Sequence, residues 1–499
     1  MAMNKFSIGS NLDTARLILV ANRLPINVVV DGEGGLEVKD SVGGVATALK
    51  VCWPVERRAW VGWPGDLSKL SEDDVEVVNK ECGKRGLVPL PLSAEELESY
   101  YEGCSNAVLW PVFHNRIDRV PVDSHFDSYR SVNARFADAV IDVLDADDDD
   151  IVWVHDFHLC LVPGMLRRAR PTLRVAFFLH IPFPPPEIFS ILPERRELLE
   201  GLLGSDIVGF HTARYRDRFL DCVRALVPGV RVEDDCVIYD GRRVEACVAP
   251  LGVDADDFSG PGDPEIDADM AELRAPSGRA DGGVDIQVLL GVDRLDYTKG
   301  IPRRLLAVER LLEMRPELHG RFTLVQIAVP SREKVEAYAE LKLEVQQLVG
   351  RVNGKHSSLA GAVPIRLLSH GFTQTQLLSL YRAADVMVVT PLLDGMNLVA
   401  KEFVAARTDD AGVLVLSEFA GAAAELKDAL IVNPYDIDGT ARALGEAIDM
   451  AAEERRDRMR RLRLHVVGES PRAWAEGFLK QLVRVPPAAS IQLEAGDAI

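Results

Sequence analysis

The 499-residue sequence has no run of eighteen apolar residues, no C-x-x-C pair, no G-x-G-x-x-G fingerprint and no internal repeat of fixed period. The first absence excludes a membrane-spanning helix. The apolar stretch near the start, Leu17 to Ala21, is flanked by Arg16 and Arg23 and is far too short for a signal or an anchor. Cysteines are few and odd in number: Cys52, Cys82, Cys104, Cys160, Cys222, Cys236 and Cys247. Their scatter predicts reduced thiols and a cytoplasmic protein. Positive charge is also scarce, with 57 Lys and Arg against 77 Asp and Glu, a net charge of −20. No large basic face can exist, so neither nucleic acid nor an anionic membrane is an expected partner. An anionic substrate must instead be held by a few placed cations.

Two tempting motifs fail. Gly350 to His356 falls one residue short of a phosphate-binding P-loop and lacks its Ser/Thr. Asp145 to Asp150 resembles a metal-binding D-x-D, but it precedes a strand pattern and reads as a solvated acidic loop.

What the chain does have is length for two cores, 47% hydrophobic residues and a mean hydropathy of +0.02. Short β-branched runs alternate with helical patterns. The expected strands are Leu17–Val20, Ile151–Val154, Val175–Leu179 and Ile207–Gly209, then Gln287–Leu290, Thr323–Ile327, Ile365–Leu368, Val386–Val389 and Val413–Leu416. An Asp/Gly/Pro-rich stretch follows Pro250 and marks a boundary. The expected class is α/β: two Rossmann-like domains, 1–251 and 252–470, with parallel sheets facing across a cleft. A helix over 471–485 crosses back to the first domain, and a flexible tail spans 486–499.

The most informative segment runs from Asp394 to Glu402. The strand Val386–Val389 stops before Pro391, and a helix pattern covers Leu398 to Ala406. A helix N-terminus between two carboxylates can face an anion with its N–H groups while Asp394 holds sugar hydroxyls and Glu402 a ribose diol. That combination describes a nucleotide-sugar site. After the strand Gln287–Leu290 come Arg294 and Lys299, a planar fork and a point charge suited to a diphosphate. Asp156 follows another strand and is placed for acceptor hydroxyls. With His155 and His158 it invites a metal, but no further ligand cluster supports one, and none is expected. His180 precedes Pro182, Pro184, Pro185 and Pro186. It either faces a sugar from a stiff loop or lies buried beside a cis-proline turn. Arg23 follows the first strand, Gly43-Gly44 opens a helix pattern, and Arg332 is a third lone cation after a strand. Tyr101 and Trp110 are either core aromatics or site residues.

Together, Asn22 to Pro25, Ser105 to Pro111, His155 to Leu159, Phe178 to Phe189, Gly209 to Tyr215, Arg294 to Gly300 and Pro391 to Ala406 resemble the trehalose-6-phosphate synthase family, retaining glycosyltransferases of glycosyltransferase family 20 with GT-B architecture. The resemblance implies a nucleoside diphosphate glucose donor (UDP-, ADP- or GDP-glucose) and glucose 6-phosphate as acceptor. No organic cofactor or metal is implied, and a homo-oligomer, with a tetramer favoured, fits the relatives. It implies that Arg23, Tyr101, Trp110 and Arg332 grip the acceptor phosphate and Asp156 its hydroxyls. Gly43 and Gly44 would approach the donor, His180 would contact the transferred sugar, and Arg294 and Lys299 would clamp the diphosphate. Phe372 would meet the base through its backbone, Asp394 the glucose, and Leu398, Val399, Ala400 and Lys401 the phosphate region, with Glu402 on the ribose. The catalytic set is then Arg294, Lys299, Asp394 and His180. Front-face attack is expected, with the leaving phosphate oxygen taking the acceptor proton. An alternative keeps the donor but changes the acceptor to glycerol 3-phosphate. No phosphatase D-x-D-x-T segment is seen.

Overall fold

The computed structural model describes residues 15–30, 36–40, 49, 58–67, 70–144, 150–275, 285–332, 335–357 and 362–486. The chain divides into two compact units, one formed by residues 1–250 with 471–499 and the other by 251–470. Gly43, Gly44, Cys52 and the acidic loop 145–149 lie outside the described residues.

The first unit carries a nine-stranded sheet. Its order is Leu87–Pro89, Arg58–Trp63, Leu17–Arg23, Ile151–His155, Arg174–Leu179, Ile207–Phe210, Arg242–Val248, Cys236–Tyr239, Arg231–Glu233. The first seven run parallel, and Cys236–Tyr239 runs antiparallel to both its neighbours, Arg242–Val248 and Arg231–Glu233. The strand Ile151–His155 is buried at every position, as expected where helices cover both faces. The helix Pro471–Arg484 belongs to this unit. Its Trp474 and Phe478 stack on Trp153 at 5.1 and 5.0 Å, and the Trp474 indole donates to the Ala249 carbonyl.

The second unit carries six parallel strands in the order Ile365–Leu368, Phe322–Val329, Gln287–Arg294, Val386–Val389, Val413–Ser417, Leu430–Val432. Numbered along the chain within the unit, this is the doubly wound order 3-2-1-4-5-6, whose reversal lies between the first and fourth strands. The same reversal occurs in the first unit between Leu17–Arg23 and Ile151–His155. Open parallel sheets bind ligands beyond the carboxyl ends of the strands at such a reversal.

Every expected strand forms. Gln287–Arg294 is longer than its apolar run because Gly291 to Arg294 stay paired to Gln326 through Val329. The strands Arg58–Trp63, Leu87–Pro89, Leu430–Val432, the three between Arg231 and Val248, and the hairpin Ile26–Val30 with Leu36–Asp40 were not anticipated. There is no cis peptide bond among the described residues, so the proline-rich loop after His180 is trans throughout. No helix among them is long and apolar enough to cross a membrane.

Candidate active site

In the second unit the reversal point gathers the expected charges. Arg294 ends its strand exposed, and a short 3₁₀ turn, Tyr297–Lys299, then leads through Gly300 into the helix Ile301–Met314. Gly300 has φ +68, and a Cβ there would lie 2.4 Å from the Thr390 carbonyl oxygen. Only glycine lets the two loops meet. Through that approach Lys299 Nζ donates to Asp394 Oδ2 at 2.5 Å. Asn397, left-handed at φ 72, donates its amide to the same oxygen at 3.0 Å and caps the Ala400 N–H with its own oxygen. The helix Leu398–Ala406 therefore starts beside a carboxylate already neutralised by an ammonium. Ala400 has spent its N–H on that cap, and the N–H groups of Leu398 and Val399 precede any intrahelical carbonyl.

Glu402, about one turn into that helix, accepts from the Tyr381 hydroxyl at 2.8 Å. Burial pushes its carboxyl up, against the lowering effect of that bond. Phe372 stands beside His370 at 4.5 Å and lines an open hollow of about 620 Å³ with Met270, Val325 and Leu368.

Asp296 is fully buried beneath these loops. Burial alone would raise its carboxyl, but Arg332, Arg294, the Thr298 N–H and Lys299 hold it down at about 2. Arg332 Nη1 lies 3.3 Å from Asp296 Oδ2, and the Tyr338 hydroxyl bridges the two. Deeper still, buried Arg304 binds Asp293, Gln326 and Thr390. Such a network stays satisfied only if the loops keep this geometry.

Lys401 points elsewhere. Its ammonium is 1% exposed and contacts Glu425 at 2.6 Å, Glu469 at 3.2 Å and the Leu251 carbonyl at 3.0 Å. Only its main chain is left for the ligand role expected of it. Arg332, expected beside the acceptor residues, belongs to the second unit, whereas Arg23, Tyr101, Trp110 and Asp156 belong to the first. His180, expected at the donor, also lies in the first unit.

In the first unit Arg23 leaves its strand with its guanidinium 4.8 Å over the Trp63 ring. Trp63 packs on Tyr101 at 5.9 Å, and Tyr101 stacks on His158 at 5.9 Å. Trp110 packs on Phe157 at 5.6 Å. A wide helix over Leu97–Leu109, of π type and continued by the Trp110 N–H bonding to the Ser105 carbonyl, explains why both aromatics reach one segment. At about 4.4 residues per turn, nine residues make two turns and return to the same face. In an α-helix they would make two and a half and point apart.

Asp156 sits at φ 74, ψ 166, a region that side-chain-bearing residues rarely occupy. Its N–H donates to the Phe178 carbonyl, and its Oδ1 accepts the His180 N–H at 3.3 Å. The His155 Nδ1 and His180 Nε2 atoms are 3.1 Å apart, with the rings stacked. Burial, together with the neighbouring His180, pushes His155 well below the ordinary imidazole range. Burial and His211 do the same to His180. Among the described residues the one grouping with metal-ligand proximity is Glu309, Glu313 and His356, and its carboxylates are paired with Arg351 and Lys355. His155, Asp156 and His158 do not converge in this way.

Trp63 and His211 went unassigned in the sequence. Trp63 ends a strand that was not recognised, and His211 lies in Gly209–Tyr215, quoted above without a role for it.

Two doubly wound units, each with charged loops at its reversal point, define a GT-B glycosyltransferase. The family model for glycosyltransferase family 20 matches residues 15–484. This chain belongs to glycosyltransferase family 20. It is 42% identical over 488 residues to the trehalose-6-phosphate synthase of Mycolicibacterium vanbaalenii, covering 95% of this chain and 97% of that one. To the bifunctional trehalose-6-phosphate synthase/phosphatase of Thermoproteus tenax it is 43% identical over 486 residues, 95% of this chain but 64% of that protein's length. Among solved structures, a trehalose-6-phosphate protein from E. coli bound with UDP-2-fluoro glucose matches at TM-score 0.81 and 37% identity, covering 95% of this chain and 100% of that one. An alpha,alpha-trehalose-phosphate synthase (UDP-forming) from Burkholderia xenovorans in complex with glucose-6-phosphate matches at TM-score 0.80 and 35% identity, covering 94% and 100%.

Proposed function

We propose that the chain is a trehalose-6-phosphate synthase that moves glucose from a nucleoside diphosphate glucose to glucose 6-phosphate with retention. The observation that carries this is the Lys299–Asp394 pair beside Arg294 and the start of the helix Leu398–Ala406. Cleaving the C1–diphosphate bond builds negative charge on the leaving group. Arg294, Lys299 and the free N–H groups of that helix are preorganised to meet it. Asp394, neutralised by Lys299, is left to accept hydroxyl protons of the hexose, and Glu402 takes the ribose. With the leaving group so supplied with positive charge, the proposed chemistry needs no metal. No carboxylate is assigned as a covalent nucleophile, so front-face attack is proposed, the departing phosphate oxygen taking the acceptor's proton.

The first unit holds the acceptor in this reading. Arg23, braced on Trp63, takes the phosphate with Tyr101 and Trp110, and Asp156 takes the sugar hydroxyls. The reading extends to a cytoplasmic homo-oligomer, a tetramer being favoured. The buried free thiols Cys82, Cys104, Cys160, Cys222, Cys236 and Cys247 support a reducing compartment.

The test is nucleotide release from UDP-, ADP- and GDP-glucose, each with glucose 6-phosphate or glycerol 3-phosphate. Release that depends on glucose 6-phosphate and yields α,α-trehalose 6-phosphate supports the reading. Release only with glycerol 3-phosphate, or none, defeats it. Sedimentation checks the oligomer.

A further inference from the structure

Glu402 takes the ribose in the proposed function, and its carboxylate already has a partner in the core. Oε2 accepts from the Tyr381 hydroxyl at 2.8 Å, the one hydrogen bond that this hydroxyl makes among the described residues. Tyr381 is fully buried, near the end of the helix Gln374–Ala383. Burial, and then the charge of Glu402, pushes its phenol well above the ordinary range. The phenol therefore keeps its proton and meets the carboxylate as a donor.

The two side chains hold one another. Were Glu402 to turn away, the hydroxyl would be left in the core with no acceptor, a loss that buried polar groups rarely bear. The main chain is tied as well. Buried Arg407, just past the helix Leu398–Ala406 that carries Glu402, donates to the Tyr381 and Arg382 carbonyls at 3.3 and 2.9 Å. The two helices are thus joined through a side-chain contact at one turn and a carbonyl clamp at the next. Both belong to the second unit. A carboxylate offers about four lone-pair sites, and Tyr381 occupies one of them. The rest remain for a vicinal diol.

We infer that Tyr381 is a positioning residue of the donor site: by holding Glu402 in one place, it sets the preference of that site for a nucleotide whose ribose carries both hydroxyls. The inference rests on the proposed function, which puts the ribose against Glu402. A carboxylate free to swing must be ordered when the diol arrives, and that ordering subtracts from the affinity. One that is already fixed carries no such cost. A nucleotide without the diol forfeits the contact in either case, so its affinity does not depend on Tyr381.

The experiment is isothermal titration of the full chain with UDP, ADP and GDP, each beside its 2′,3′-dideoxy analogue. The nucleotide that binds most tightly supplies the ratio of the two Kd values. The wild type should favour the ribonucleotide by about 10-fold, as for hydrogen bonds to a charged group. In Tyr381→Phe that preference should fall by about 3-fold or more, the cost of ordering one freed side chain, with the Kd of the dideoxy analogue within about 2-fold of the wild type. In a Glu402→Ala background, Tyr381→Phe should leave the preference unchanged, since nothing is left to hold. Thermal unfolding midpoints show that the variants fold. A tyrosine that served stability alone would weaken both nucleotides alike. A smaller fall in Tyr381→Phe, or one that persists in the Glu402→Ala background, overturns the inference while leaving the proposed function intact. A wild-type preference below about 3-fold, or a chain that binds none of the three nucleotides, defeats the placing of the ribose on Glu402 and the inference with it.

Discussion

Lys299 donates to Asp394 at 2.5 Å, joining the loops that leave the strands Gln287–Arg294 and Val386–Val389. Those strands are sheet neighbours although 91 residues of chain separate them. In the proposed function the pair sets a cation for the diphosphate beside a carboxylate that accepts from the hexose hydroxyls.

Lys299→Ala should therefore lower kcat by about 10²- to 10³-fold, or ~2.7–4 kcal/mol, the loss typical of one donor aimed at developing negative charge. Initial rates of nucleotide release measure it. Turnover within a few-fold of the wild type would remove Lys299 from the leaving-group site.

Arg23→Ala should raise the KM for glucose 6-phosphate while leaving that for the donor nearly unchanged. The guanidinium is held over the Trp63 ring in the first unit, where the proposed function seats the acceptor phosphate. Two-substrate kinetics give both constants. A larger rise for the donor would exchange the roles of the two units.

Asp156 predicts a separation of stability from activity. Its backbone pays for a conformation that glycine adopts freely, at a cost of about 1–3 kcal/mol for residues with a side chain. Asp156→Gly should leave the thermal midpoint unchanged or raised while transfer falls sharply. A lowered midpoint with transfer retained would mean that the carboxylate is structural.

Acid should expose Asp296. Its folded pKa, about 2, lies below the ordinary 3.8, so its contribution is complete above pH 3.8 and is lost as pH falls through 2. The shift corresponds to about 2 kcal/mol. Asp296→Asn should lower the urea midpoint at pH 7 and at pH 5 alike, and the gap from the wild type should close between pH 4 and pH 2. A gap independent of pH over that range would show that packing, and not charge, is what Asp296 supplies.

Most of the second unit could be read from its residues because its strands are short apolar runs buried on both faces, and its ligand loops follow them directly. The run Val386–Val389 has the same ends in sequence and structure. Arg58–Trp63 escaped notice because it begins with an arginine and is framed by tryptophans, yet Arg58 is 9% exposed and the whole strand is buried. Missing it hid Trp63, the surface on which Arg23 rests. That Tyr101 and Trp110 both reach the Phe157–His158 segment could not be read from the residues for another reason. Their spacing suits one face only in a helix of π pitch, and no residue type announces that pitch. The family resemblance puts Lys401 in the phosphate region, whereas its side chain is engaged elsewhere. Its partners Glu425 and Glu469 lie 24 and 68 residues on, beyond the reach of any local pattern.

The aromatic seam between Trp153 and the last helix orders events during synthesis. The sheet of the first unit is translated early but lacks Trp474 and Phe478, which stack on Trp153 and Phe178. Residues 251–470 are by then entirely outside the ribosome and can close their own core. The half of the molecule that starts first is thus the half that finishes last, and its hydrophobic face stays open until the helix Pro471–Arg484 emerges.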